Sequence, residues 1–65
     1  MSPLDFVFNS IYKGAKNKGA SEINAHQQAV IGSDIYRKDA FKGKAHQLIT
    51  EHINKAVKLT KMVKN

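Results

Sequence analysis

Cysteine and tryptophan are absent from this 65-residue sequence, and proline and arginine each occur once. Without cysteine, neither a disulfide nor a thiolate metal site can staple so short a chain. A fold of this size buries only about 60% of the surface its unfolded chain exposes. Marginal stability is therefore expected, with self-association or docking into a larger assembly as support. The missing cysteines also fit a reducing compartment. No apolar run approaches the roughly 20 residues of a membrane span, and the opening MSPLDFVF lacks the basic and apolar regions of a signal peptide. The expected location is the cytoplasm or the inside of a particle or assembly.

Acids are also scarce: five Asp and Glu stand against 11 Lys and Arg, for a formal net charge of +6. The excess is not spread evenly. In residues 1–35, Lys13, Lys16 and Lys18 are balanced by Asp5, Glu22 and Asp34. In residues 36–65, Arg37, Lys38, Lys42, Lys44, Lys55, Lys58, Lys61 and Lys64 face only Asp39 and Glu51. A cationic half makes polyanions the default partner class: nucleic acid, an anionic membrane or an acidic protein surface.

What is present is helical patterning, and an all-α fold of two to three helices is expected, a helical hairpin or small bundle. Ser2-Pro3-Leu4-Asp5 opens the first helix, over about residues 3–16, with Ser as N-cap, Pro at the first helical position and an acid three residues after the cap. Leu4, Val7, Phe8, Ile11 and Ala15 share one face, while Phe6 lies opposite and either staples onto Met1 or needs a partner. Gly14 and Gly19 punctuate the basic stretch from Lys13 to Lys18, read as the fraying end of this helix and a loop. Ser21 caps a short second helix over about 21–31, with Gly32 as its stop and a thin apolar content of Ile23, Val30 and Ile31 among alanines.

The last helix, beginning near residue 34 or 40 and running to about 63, is expected to be the longest and to be amphipathic. Ala45, Ile49, His52, Ala56, Leu59 and Val63 are spaced 4, 3, 4, 3 and 4, the alternation of a heptad seam that docks on itself or on another helix. Phe41, Leu48 and Ile53 widen this face toward bundle packing. The opposite face gathers Lys44, Gln47, Glu51, Asn54, Lys58 and Lys61, with Lys55 at its margin.

That cationic face is the principal candidate site. Lys44, Lys55, Lys58 and Lys61 suit phosphate neutralisation, with Asn54 reaching sugar or base edges. The plainer reading is a solvated face that keeps the protein soluble. Ten lysines against one arginine argue against base-specific readout, because bidentate recognition of guanine favours Arg. A membrane surface is disfavoured by the lack of tryptophan and by the five acids.

Catalysis has little support. Asp5, Glu22, Asp34 and Asp39 fall near helix starts, where capping and the helix dipole explain an acid. His46 and His52 are six residues apart, about 120° around a helix, and form no i, i+4 metal pair. His52 reads instead as a half-buried polar residue that tunes register in the seam. No nucleophile elbow, P-loop or cysteine nucleophile occurs. The expected function is thus a non-enzymatic, basic helical module, self-associating, that contacts nucleic acid, without metal or cofactor. The alternatives are a structural or adaptor subunit docked by its seam, for example in a phage particle, and a membrane-surface helix. No stretch matches a helix-turn-helix, ribbon-helix-helix, zinc-finger or RNA-binding signature.

Overall fold

A computed structural model describes the backbone of residues 2–39 and 45–62. Among these residues the fold is three helices and no strand: α1 (Pro3–Asn17), α2 (Glu22–Asp39) and α3 (Ala45–Met62). Every helix packs on both others, and the all-α bundle expected from the sequence is what forms.

The start of α1 follows its sequence signals. The Ser2 hydroxyl accepts from the Asp5 N–H at 3.2 Å, Pro3 occupies the first helical position and Asp5 lies in the first turn. Its far end is a defined cap. The Ala20 N–H donates to the Ala15 carbonyl at 2.9 Å and the Gly19 N–H to that of Lys16 at 3.1 Å, the paired bonds of a Schellman motif. Gly19 supplies the left-handed residue this turn requires, with φ of 104°. Ala15 and Ala20, the apolar pair that accompanies such a cap, are both buried.

The second helix is longer than its apolar pattern indicates. Ser21 caps it as expected, its hydroxyl accepting from the Asn24 N–H at 3.2 Å. Gly32, however, does not stop it: α2 continues through residues 33–39, which the spacing had assigned partly to the last helix. A glycine ends a helix by adopting positive φ, and among the described glycines only Gly19 does so. Gly32 has a different use. It is buried at a crossing where an added Cβ would collide with Ile11 Cδ1 and come within 3.3 Å of the His52 ring. Consequently α2 and α3 are equal as described, at 18 residues each.

Small residues decide which face of α2 turns inward. Ala25, Gln28, Ala29 and Gly32 are buried, whereas Ile23, Val30 and Ile31 are exposed. Backbones can approach closely over Ala and Gly, so the core is built mainly from what α1 and α3 bring to that face. One cluster joins Val7, Ile11, Ala29, Leu48 and Ile49; another joins Ala15, Ala20, Ala25 and Ala56. Gly14 serves the same purpose on α1, since a Cβ there would strike Ile53 of α3. Phe6 is 53% exposed, and the Met1 staple lies outside the described residues.

Candidate lysine-lined groove

The connection between α1 and α2 is anchored on the end of α3 by one hydroxyl. Thr60 Oγ1 donates to the Ala56 carbonyl and accepts from the Ser21 N–H and from Asn24 Nδ2, each at 2.9 Å. Together with the buried alanines 15, 20, 25 and 56, this holds the Schellman turn against the C-terminal half of α3. Lys18, the last residue before Gly19, is thereby brought beside the cationic face of α3.

The result is an open groove of about 630 Å³ lined by Lys18, Asn54, Val57, Lys58, Lys61 and Met62. The five α3 residues recur at i, i+3, i+4, i+7 and i+8, one stripe of a helix. Val57 is the only lining residue partly withdrawn from solvent, so it forms the floor, while the lysines and the Asn54 amide are exposed. Among the described residues, none of Lys18, Lys58 and Lys61 lies within ion-pair distance of a carboxylate. By contrast, Arg37 and Lys38 on α2 both pair with Asp34. The Arg37 hydrogen bond, helped by Lys38, holds the Asp34 carboxyl below its usual pKa. Lys13, Lys16 and Lys55 are likewise unpaired among the described residues, but Lys18, Lys58 and Lys61 are the ones that share this groove.

Of the basic-face residues expected from the sequence, Asn54, Lys58 and Lys61 come together here. Lys55 does not join them: it lines a smaller hollow of about 340 Å³ with Glu51 and His52. Lys44 lies outside the described residues. Lys18 belongs to the basic stretch Lys13 to Lys18 that reads as a flexible loop, and only the fold places it against α3.

The heptad seam is occupied by the chain's own first two helices. Ile49, His52 and Ala56 are buried, Ala45 and Leu59 are half-buried, and Val63 lies outside the described residues. An interface built on this seam has to displace α1 and α2. His52, the one polar residue of the seam, is buried with its Nδ1–H donating to Gln28 Oε1 at 2.8 Å. Burial, then the positive charge of Lys55, pushes the His52 pKa down, against the opposing influence of Glu51. His26 instead packs edge-on against Phe8, with ring centroids 5.5 Å apart, and His46 is exposed. Among the described residues no three His, Asp or Glu side chains gather into a metal-binding group, and no helix is long and apolar enough to cross a membrane.

Comparison with known proteins returned no match: no family model, no curated protein and no solved structure resembles the chain closely enough to identify a relative.

Proposed function

We propose that this chain is a non-enzymatic nucleic-acid-binding module that holds phosphates on Lys18, Lys58 and Lys61. The observation that carries this reading is the convergence, around one groove, of three lysines from two separate elements, without carboxylate partners among the described residues. Lysines scattered for solubility have no reason to converge. Lysines that release counterions from a phosphate chain gain from being close enough to contact successive phosphates. Asn54 adds a neutral donor and acceptor between the charges.

Replacing Lys18, Lys58 and Lys61 together by Gln tests the reading. All three are exposed, so helicity by circular dichroism stays unchanged. Binding to a labelled oligonucleotide weakens at least about tenfold in low salt, and the slope of log K against log salt falls by about 2 to 3. Lys55→Gln, outside the groove, produces a smaller change. Unchanged affinity and slope in the triple variant would assign these lysines to solubility alone.

A second reading, a subunit that associates with itself or with a larger assembly, is favoured by the exposed apolar side chains of α2. Ile23 is 72% exposed, Val30 45% and Ile31 44%. Isolated exposed apolar residues are ordinary, but Val30 and Ile31 line one hollow with Leu4 and Ile35, and Ile23 lies seven residues before Val30 on the same helix. Light-scattering mass of the purified chain checks this: a defined multimer, lost on replacing Ile23 and Val30 by Ser, supports association. A monomer at high concentration removes self-association.

A further inference from the structure

Resting on the nucleic-acid reading above, we propose that the groove takes single-stranded nucleic acid, with one unpaired base against Val57 and Met62 and the flanking phosphates on the lysines. Three features of the groove favour a splayed strand over a duplex.

The first is shape. Lys18 approaches from the α1–α2 turn, and Lys58 and Lys61 from α3, so positive charge rims a hollow of about 630 Å³. A duplex is convex, and its bases are stacked inside where no such hollow reaches them. A single strand can turn a base inward while its backbone follows the rim.

The second is the apolar surface between the charges. Met62 is 66% exposed, a long thioether side chain left in water beside Val57. Polarizable sulfur makes favourable contacts with aromatic rings, and every nucleobase presents a π face. A site for phosphates alone gains nothing from these two side chains.

The third is Asn54. Its amide is exposed on the groove wall and makes no side-chain hydrogen bond among the described residues. It offers a donor and an acceptor together, the pair needed to read the edge of an unstacked base. The chain's single arginine, the residue suited to reading guanine in a duplex, lies on α2 bound to Asp34.

The test uses the full chain and anisotropy of three labelled probes at one salt concentration: a DNA strand of about 12 nucleotides, its duplex, and an abasic strand of equal length. The single strand is expected to bind about fivefold or more tightly than either other probe. The double variant N54A/M62A, altering exposed side chains only, brings the three affinities together and leaves the salt slope in place. K58Q/K61Q weakens all three probes. Equal affinity of the parent protein for all three probes overturns the single-strand proposal while the nucleic-acid reading stands. No binding to any probe in low salt overturns both. Preferential binding to phosphatidylglycerol vesicles over every oligonucleotide also overturns both and assigns the groove to lipid headgroups.

Discussion

Replacing Ile11 by Ala lowers the melting temperature by roughly 15–30 °C, through a loss of about 3–5 kcal/mol. Ile11 and Val7 are the largest fully buried side chains of the described core, and Ile11 is 0% exposed. Removing three buried carbons forfeits their transfer free energy and leaves a cavity whose cost depends on how far the surroundings relax. Relaxation is limited here. Ile11 packs over Gly32 and beside Ala29, neither of which has a side chain able to swing into the gap. A domain of this size is stable by about 3–10 kcal/mol in all, so this one change consumes much of the total. Ile23→Ala provides the comparison: with Ile23 at 72% exposure, the same kind of truncation costs less than about 1 kcal/mol. Urea titration or calorimetry of the two variants decides the matter, and a loss below about 1.5 kcal/mol for Ile11→Ala would mean that the core is not packed around this residue.

The second large effect concerns the buried pair of His52 and Gln28, which are 7% and 4% exposed. Gln28→Leu leaves a ring nitrogen of His52 buried without its partner, at a cost of about 1–3 kcal/mol. Changing both residues to Leu removes donor and acceptor together and recovers most of that loss, because an apolar pair of similar size owes nothing to desolvation. The pH dependence separates this account from simple packing. The pKa of His52 is lowered in the folded protein from a reference value of 6.5. Above that value the ring is neutral in both states and contributes no slope. As pH falls below about 6.5 the unfolded chain binds the proton first, so stability declines until the depressed folded pKa is passed. Melting curves between pH 7.5 and 5 therefore shift downward in the parent protein, and the shift shrinks when both residues are Leu. Asp34, whose pKa is lowered from 3.8, acts in a separate, more acidic window. An undiminished shift in the double-Leu variant would exclude His52 as its source.

The lysine groove was only partly legible in the sequence. Asn54, Lys58 and Lys61 announce themselves by helical spacing, since neighbours on a helix surface are fixed by the chain itself. Lys18 carries no such signal. It is 36 residues from Asn54, and what joins them is the Gly19 cap, the Thr60 hydrogen bonds and a set of buried alanines. Sequence periodicity describes one helix at a time, so a site assembled from two elements shows only its longer half.

By itself the sequence determined the class of fold, the N-terminal caps of α1 and α2, the segregation of charge and the apolar face of α3. Each of these depends on interactions within a few residues or on a helical period, and both are present before any packing occurs. Tertiary structure alone decided what the seam packs against, which face of α2 is inward and what Gly32 is for. Hydrophobicity favours Ile23, Val30 and Ile31 for burial, yet close approach of three backbones is possible only over Ala25, Ala29 and Gly32. Those small residues win because packing at native density rewards contact across the whole helix surface, and a bulkier face would hold the helices apart.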